Sequence, residues 1–279
     1  MKTAAVVQAR TSSTRLPLKV LKELPYASGI TVLQQVIRRL KKSKKLDNII
    51  IATTTDSEDD EIIRIVEKEQ VGYFRGSKDD VLSRYYLAAE QNNIDHIVRV
   101  TSDCPCIDSK VVDAVIEKHL DTNSDFTSNI LRRTFPRGLD TEVISFETLR
   151  KVHLEAKQAF EREHVCPYIY KTNPQAFKIS GFESSEKYFA PQIRITIDTE
   201  ADYTLLCAVF DFLYFDNEYF DTEDIITLFQ RKPWLKFINP NVRQKQMFGT
   251  LEQELGEAVR VLELQGLKKA KDFLSRHIQ

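Results

Sequence analysis

Short apolar runs alternate with apolar stripes at helical spacing through the first half of the chain. The runs Thr3–Ala9, Asn48–Thr53 and His96–Val100 have the length and composition of buried parallel strands. Between the first two runs, apolar residues at positions 32, 33, 36, 37 and 40 mark one face of a helix. Strands that alternate with helices form parallel sheets with right-handed crossovers. The pattern therefore predicts an α/β fold with a mostly parallel, Rossmann-like sheet flanked by helices.

The other elements of the first half follow the same alternation. Ser57 and Asp60 have the spacing of a capping box and predict the start of a helix there. Gly72–Gly76 is typical of a short strand that ends in a turn. Helices are expected at Asp80–Gln91 and at about Lys110–Leu120.

The second half has a different pattern. Residues 125–145 hold β-like pieces that are interrupted by proline and glycine, and residues 147–170 return to helical spacing. We interpret about 125–170 as a smaller insertion in one large domain, residues 1–240. No flexible linker or internal repeat is visible.

The last part of the chain is predicted to contain one more strand and then helices. Gln192–Ile197 alternates and predicts a strand, whereas Thr199 and Asp202 predict the cap of a helix that runs to about Phe215. From Gly249 onward the pattern is that of a charged amphipathic helix or helical pair. Residues 241–279 are therefore predicted to be a helical C-terminal extension.

Charge and cysteine usage restrict the classes of partner. The 279 residues contain 40 Lys and Arg against 41 Asp and Glu, which argues against a general nucleic-acid coat or a polybasic membrane surface. The four cysteines form no CxxC pair, as is usual for reduced thiols in the cytosol, and no apolar stretch is long enough to span a bilayer. We expect a cytoplasmic protein with no nucleic-acid or membrane partner, in which any anion site is local.

The loop after the first strand combines hydroxyl groups with positive charge. Ligands of open α/β sheets bind beyond the carboxyl ends of the strands, and a phosphate there needs N–H groups, hydroxyl donors and cations. The loop lacks both the Walker pattern and a glycine-rich dinucleotide fingerprint. The residues alone leave open whether it is a polyphosphate site or a solvated basic turn. Its hydroxyls and cations are Thr11, Ser12, Ser13, Thr14, Arg15 and Lys19.

Two aspartates follow predicted strands and could meet at the same edge of the sheet. Asp103 comes after the strand at residue 96, and Pro105 pushes the residue before it toward an extended conformation. Asp198 comes directly after the alternating segment at residue 192. Two carboxylates from different loops suit Mg²⁺, which also takes water and substrate phosphates as ligands. Either aspartate could instead cap a turn or a helix.

The opening loop, QARTSSTRLPLKVL, closely resembles the first motif of the nucleotidyltransferases that make CMP-activated acidic sugars. The similarity is greatest to cytidylyltransferases related to spore coat polysaccharide protein F, and it covers about residues 3 to 215. It implies a GT-A type nucleotidyltransferase sheet. Further segments match family motifs: RGS…DVLxRY at 75–85, R-x-T-x-D-x-P at 99–105, PxGxDxE at 136–142, EREHVTPY at 161–168 and T-x-D-T-x-x-D at 196–202.

The resemblance implies a nucleotide site around this loop, with three of its cations in catalysis: Arg10, Arg15 and Lys19. The family commonly has glycine at the positions of Ser12 and Leu18. Arg84 and Tyr85 fit a helix that packs on the sheet better than a nucleotide contact. The implied nucleotide-binding residues are Gln8, Ala9, Arg10, Ser12, Ser13, Arg15, Lys19, Arg75, Thr101, Ser102 and Asp103.

The same resemblance implies that Asp103 and Asp198 are ligands of Mg²⁺. An acceptor pocket is implied in the middle of the chain, where Cys166 replaces the usual threonine of the family. The residues there leave other roles open, namely a charged edge strand or a buried or dimer-contact histidine. The implied acceptor-binding residues are Gly138, Asp140, Glu142, Arg162 and His164.

The implied activity is transfer of CMP from CTP to an acidic sugar or a related phosphorylated acceptor, with release of pyrophosphate, in surface polysaccharide biosynthesis. The family often forms homodimers, and we expect one here. Three alternatives remain at this point: a sugar-1-phosphate nucleotidyltransferase that uses another nucleotide, a glycosyltransferase of GT-A architecture, and a non-catalytic nucleotide-binding module. The acceptor is the largest unknown.

Overall fold

The computed structural model describes residues 1–242 and 250–277. The chain divides into two compact units, Met1–Val242 and a second unit that begins at Arg243. The first unit contains every strand among the described residues. None of the helices in the described ranges is both long enough and apolar enough to cross a membrane.

The first unit is built on one seven-stranded sheet with the order β3-β2-β1-β4-β6-β5-β7. Strands β3, β2, β1 and β4 are parallel, β6 is antiparallel to both β4 and β5, and β7 is parallel to β5. The predicted α/β class is confirmed, and the β-like pieces of the middle segment belong to the same sheet. The strands are β1 Thr3–Gln8, β2 Asn48–Thr54, β3 Gly72–Gly76, β4 His96–Thr101, β5 Phe126–Ser128, β6 Glu142–Ser145 and β7 Ile179–Gly181.

Helices cover both faces of this sheet, as the periodicity predicts. Alternate residues of β1 pack into two separate cores: Ala4 and Val6 on the side of α3 and α5, and Ala5 and Val7 on the side of α1, α4 and α7. With both faces buried, a ligand reaches the sheet only at the ends of its strands. The helices are α1 Val32–Leu40, α2 Asp60–Lys68, α3 Val81–Gln91, α4 Ser109–Thr122, α5 Phe146–Glu155, α6 Ala159–His164, α7 Glu200–Leu213, α8 Thr222–Arg231, α9 Leu251–Leu264 and α10 Lys268–His277.

The predicted capping box of Ser57 and Asp60 is wrong. A 3₁₀ turn occupies Ser57–Asp59, and α2 begins at Asp60 without a side-chain cap. The carboxylate of Asp59 bonds elsewhere: Oδ1 accepts from the N–H and the hydroxyl of Thr11, both at 2.8 Å, and Oδ2 accepts from the hydroxyl of Thr54. The start of α2 therefore anchors the loop after β1.

The predicted strand at Gln192–Ile197 is also wrong. The segment makes a single β-bridge, between Arg137 and Arg194. Gly138 explains why the two chains run so close here, since its φ is +112° and a Cβ on it would lie 2.6 Å from the carbonyl oxygen of Ile195. The apolar alternation reflects burial against a loop, because the residues have no neighbouring strand to pair with.

Two predictions for the later helices are confirmed. Thr199 and Asp202 form the predicted capping box at the start of α7. The predicted helical pair at the C-terminus is confirmed as α9 and α10, with Gly249 and residues 278–279 outside the described residues.

Candidate functional site

The loop after β1 folds around Thr11, which is buried. Its carbonyl oxygen accepts the N–H groups of Ser13 at 2.9 Å and Leu18 at 3.0 Å, and its own polar groups bond to Asp59. Thr11 therefore shapes the loop and does not offer its hydroxyl to a ligand. Ser12 and Ser13 are half-buried, and Arg15 is exposed at the rim.

Leu18 turns the chain at the end of this loop. Its φ of 58° and ψ of 19° lie in the left-handed region that favours glycine, and its side chain is exposed. A 3₁₀ turn from Lys19 to Leu21 follows directly. The turn that delivers Lys19 therefore needs a left-handed residue, a conformation that glycine adopts without strain.

Lys19 joins two distant aspartates at the carboxyl edge of the sheet. Its Nζ donates to Asp103 Oδ2 at 2.6 Å, to Asp198 Oδ1 at 3.0 Å and to the carbonyl oxygen of Ile197 at 2.8 Å. Burial acts to lower the pKa of Lys19, but the two carboxylates outweigh it and raise that pKa above its ordinary value. Lys19 is therefore charged at neutral pH.

Asp198 is surrounded by three cations. Besides Lys19, its carboxylate bonds to Arg15 at 2.7 Å and to Arg194 at 2.7 Å. Burial disfavours the charged form, yet Lys19, Arg194 and Arg15 lower the pKa of Asp198 to about 2. The carboxylate therefore stays ionised, with three positively charged side chains bonded to it.

Asp202 holds Arg194 and Asp198 in position. Its carboxylate accepts two hydrogen bonds from Arg194, at 2.8 and 3.1 Å, and one from the backbone N–H of Asp198 at 2.9 Å. Asn239 donates to the same carboxylate at 2.9 Å. The helix cap that the sequence predicts is thus also a support that orients Arg194 and Asp198, a role its spacing alone does not reveal.

Asp103 is fixed to the segment that carries Asp198. The carbonyl oxygen of Asp103 accepts from Ile197 N at 2.9 Å and from the hydroxyl of Thr196 at 3.0 Å. Its carboxylate also accepts from the hydroxyl of Thr101 at 2.6 Å. The loops after β1 and β4 and the segment before α7 therefore converge at one point.

Asp103 and Asp198 are the residues that could hold a metal ion at this point. Within the described part of the chain, no group of three or more His, Cys, Asp or Glu side chains is placed to hold a metal. Mg²⁺ is commonly bound by one or two carboxylates and completed by water and phosphate oxygens. The donor set fits a magnesium ion that arrives with a polyphosphate, and not one held in a cage of protein ligands.

Comparison with known proteins identifies the family. A family model described as cytidylyltransferase matches residues 4–232. This chain belongs to the cytidylyltransferase family. The spore coat polysaccharide biosynthesis protein SpsF of Bacillus subtilis is 32% identical over 233 residues, 82% of this chain and 94% of the relative. The predicted family is confirmed.

Two further relatives cover most of both chains. An uncharacterized protein of Methanocaldococcus jannaschii is 41% identical over 245 residues, 88% of this chain and 97% of the relative. The solved structure of a cytidylyltransferase from Leptospira borgpetersenii serovar Hardjo-bovis is 35% identical, with a TM-score of 0.79 over 88% of this chain and all of that one. The chain is therefore a CTP-dependent nucleotidyltransferase.

Arg84 is a residue of this cytidylyltransferase that sequence reasoning assigned only to packing. It lies in the first turn of α3 and is 2% exposed, yet its Nε and Nη1 have no hydrogen-bond partner among residues 1–242 and 250–277. Burial, and then the charge of Arg10, lower its pKa. Within the described ranges, Arg10 itself forms no hydrogen bond or ion pair. Two guanidinium groups without a bonded acid thus lie near each other beside the loop.

Arg75, a predicted nucleotide-binding residue, is occupied elsewhere. Its guanidinium donates to the carbonyl oxygens of Thr54 and Asp56, both at 2.8 Å, and to the carboxylate of Asp60 at 2.7 Å. All three nitrogens of the guanidinium therefore serve to tie β3 to the connection between β2 and α2. Of the two arginines in the RGS…DVLxRY motif, Arg84 therefore has unpaired nitrogens among the described residues, whereas the nucleotide contact of Arg75 stays a prediction.

The remaining predicted nucleotide residues lie around the ends of β1 and β4. Ala9 N donates to the carbonyl oxygen of Ala52 at 3.1 Å, and the carbonyl oxygen of Gln8 accepts from Ser102 N at 3.3 Å. Thr101 orients Asp103 through its hydroxyl. These residues therefore hold the two loops at the sheet edge.

Two of the predicted acceptor-binding residues have structural partners away from the converging loops. Glu142 is buried and ion-paired with Arg99, directly opposite it on the neighbouring strand. Arg162 donates twice to Asp80, at 2.9 and 2.6 Å, and also to backbone carbonyls. Both charges are therefore neutralised within the fold, which sequence spacing does not show, and a role in acceptor binding stays a prediction for these two residues.

The other three predicted acceptor residues are placed as follows. Gly138 packs on the segment before Asp198. Asp140 makes two hydrogen bonds with Arg133, at 2.8 and 3.0 Å. His164 is half-buried at the end of the short helix α6.

Proposed function

We propose that this enzyme transfers CMP from CTP to a small acidic acceptor and releases pyrophosphate, with Mg²⁺ held by Asp103 and Asp198. The observation that carries the proposal is the contact of Lys19 with both aspartates. Three chain segments far apart in sequence bring two carboxylates and several cations to the carboxyl edge of the sheet, where α/β folds bind nucleotides.

The chemistry follows from the charges. An acceptor oxygen forms a bond to the α-phosphorus while the bond from that phosphorus to the bridging oxygen of the β-phosphate breaks, and the electron pair leaves with pyrophosphate. A hydroxyl acceptor also loses its proton to water. When bound, Mg²⁺ neutralises phosphate charge, and Lys19 and Arg15 add fixed positive charge near it. Positioning and electrostatics carry such transfers, so no protein nucleophile is needed.

Arg10 and Arg84 are proposed to bind the triphosphate from the other side of the loop. A buried guanidinium with unpaired nitrogens is costly unless an anion neutralises it. Arg84 lies in α3, near Arg10, whereas Asp103 and Asp198 lie beyond β4 and before α7. This division assigns binding charge and reacting charge to different segments of the chain.

The biological setting is part of the same proposal. The name of the Bacillus subtilis relative supports a role in polysaccharide biosynthesis. The four free cysteines support a reducing, cytoplasmic location. The resemblance also implies a homodimer, and light scattering of the purified chain tests that expectation.

Pyrophosphate release tests the activity directly. With Mg²⁺ and a panel of acidic acceptors, CTP is expected to support turnover and UTP, GTP and dTTP are not. Asp103→Asn is expected to reduce kcat about 100-fold or more with its thermal melting retained, because an aspartate that is partly exposed is not needed for the core. A preference for another nucleotide would favour a sugar-1-phosphate nucleotidyltransferase, and equal activity of wild type and variant would refute the proposal.

A further inference from the structure

Arg137 is a cation beside the proposed reaction centre that no bonded acid neutralises. It lies in the loop between β5 and β6, where its backbone N–H donates to the carbonyl oxygen of Ile193 at 2.9 Å and its own carbonyl accepts from Ile195 N at 2.8 Å. The side chain is half-buried and, within the part of the chain that the structure describes, forms no hydrogen bond or ion pair. The backbone contacts fix Arg137 against the segment that leads to Asp198.

The charges that face Arg137 are already matched to other groups. Asp140 and Asp198 attract it, whereas Arg133 and Arg194 repel it. Asp140 makes its two hydrogen bonds with Arg133, and the carboxylate of Asp198 is bonded to three other cations. Arg137 is therefore the surplus positive charge of this cluster.

Among the described residues, no hydrogen bond or ion pair offsets the burial of the Arg137 guanidinium. Burial, and then the neighbouring Arg133, lower the pKa of Arg137 from its ordinary value. A guanidinium in such a place is stabilised by an anion that accepts two parallel N–H bonds, a geometry that carboxylate and phosphate both provide. An anionic ligand would thus provide the hydrogen-bond acceptors that the described residues do not provide for Arg137.

The other cation that the sequence offers for an acidic acceptor is occupied. Arg162 is bonded to Asp80, the residue that caps α3, and to carbonyl oxygens at the end of α5. Releasing it would break charge-assisted bonds that hold two helices together. Arg137 has no such bonds to lose.

We propose that Arg137 binds the anionic group of the acceptor, a carboxylate or a phosphate, and thereby selects acidic acceptors. The inference rests on the proposed cytidylyl transfer and names the residue that would read the acceptor. The nucleotide phosphates are met by Arg10 and Arg84 across the loop, so the two substrates would use separate cations. Arg137 is thus a specificity residue that contacts the acceptor and leaves CTP binding to the opening loop.

The test compares Arg137→Gln with Arg132→Gln. Arg132 lies in the same connection, but its side chain is 74% exposed and pairs with Glu183 at the surface. Pyrophosphate release is measured with CTP and three anionic acceptors, N-acetylneuraminate, a hexose 1-phosphate and glycerol 3-phosphate, and with the methyl ester of N-acetylneuraminate as the uncharged counterpart that keeps the reacting hydroxyl. Thermal shift with CTP alone is measured for every variant.

The expected result is a change confined to the acceptor. Arg137→Gln raises KM for the active anionic acceptor at least tenfold, as expected for a lost charge-assisted hydrogen bond, and leaves KM for CTP within about twofold. Arg137→Lys lies between wild type and Arg137→Gln, and Arg132→Gln matches wild type. The same set of variants shows no difference with an uncharged counterpart.

Three results would overturn the inference. The first is an equal loss of CTP affinity in Arg137→Gln, and the second is an unchanged KM for the acceptor in that variant. The third is a wild type that CTP stabilises but that turns over charged and uncharged acceptors equally well, or turns over none of them. A wild type that shows no thermal shift with CTP would instead refute the proposed function. The two failures are therefore separate observations.

Discussion

At the scale of single residues, Arg84 separates stability from function. A buried guanidinium with two unpaired nitrogens destabilises the free protein, whereas the same group is expected to bind triphosphate when CTP is present. The residue therefore opposes folding in the absence of its ligand. This conflict between local stability and function is typical of ligand sites.

Arg84→Met is predicted to raise the melting temperature and to weaken CTP. Methionine keeps an unbranched apolar chain in place of the aliphatic part of arginine and removes the charged guanidinium, so the free enzyme gains about 1 to 3 kcal/mol in free energy of unfolding. CTP affinity, measured by calorimetry, falls at least tenfold.

Arg75→Met is the matched control for that substitution, since it lies in the same motif and is fully hydrogen-bonded. It is expected to lower the melting temperature and to leave CTP affinity nearly unchanged. Destabilisation of Arg84→Met, with CTP affinity intact, would mean that Arg84 only packs.

Leu18 stores conformational strain in the loop that delivers Lys19. A non-glycine residue at a left-handed φ costs about 1 to 2 kcal/mol, and glycine there costs about 0.5 to 1 kcal/mol in chain entropy. Leu18→Gly is therefore predicted to increase the free energy of unfolding by about 0.5 to 1 kcal/mol and to keep kcat. Leu18→Ala, which keeps the strain, is the control. A lower midpoint for the glycine variant in urea or heat unfolding would show that the turn at Leu18 is not strained.

The residue scale also shows what a sequence can predict about a site. Lys19, Asp103 and Asp198 were expected to meet, because each follows a strand or an apolar segment and all carboxyl ends share one edge. Arg75 and Arg84 could not be told apart in the same way. Both are arginines in one motif, and only the fold decides which guanidinium finds protein acceptors.

At the scale of elements, a pair of histidines joins α4 to the sheet. His119 is buried, and its two ring nitrogens lie 3.2 Å from His96 Nδ1 and 3.1 Å from the hydroxyl of Thr127. Burial, and then the nearby His96, lower the pKa of His119 from 6.5 to about 4. The folded state therefore holds a neutral imidazole that the unfolded chain would protonate earlier.

The sign of the pH effect follows from this lowered pKa. Above about pH 6.5 the imidazole is neutral in both the folded and the unfolded state, so it does not change the stability. Between pH 6.5 and 4 the unfolded state binds more protons, so the stability decreases as the pH is lowered. His119→Gln is predicted to lose less melting temperature than wild type between pH 7.5 and pH 5. Parallel curves for the two proteins in calorimetric scans would exclude His119 as a source of acid sensitivity.

Elements were predicted well where the pattern is local and poorly where pairing is tertiary. The helix at residues 32–40 and the cap at Thr199 depend on spacing and on side chains within one turn, and both are present. The segment 192–197 has the alternation of a strand, but pairing needs a neighbour, and Gly138 brings a loop against it instead. No single-chain pattern contains that information.

At the scale of the whole molecule, all the described residues of the proposed site belong to the first compact unit. The family match ends at residue 232, and Asn239, within the same unit, donates a hydrogen bond to the carboxylate of Asp202 in the aspartate cluster. The second unit carries exposed leucines on its helices, including Leu251 and Leu264. Exposed apolar residues of this kind contribute little to the stability of a separate unit.

A chain that ends at Val242 is therefore predicted to fold and to retain nucleotide binding. Its melting temperature and its thermal shift with CTP and Mg²⁺ should lie within about 4 °C of the full chain, since a loss below about 1 kcal/mol shifts the melting temperature of a protein of this size by no more than that. Asn239→Ala in the same truncated chain serves as the positive control for damage, because it removes a hydrogen bond to buried Asp202. If the truncated wild-type chain unfolds or loses its response to CTP while the full chain keeps both, the C-terminal helices contribute to the enzyme, and the two units are one functional body.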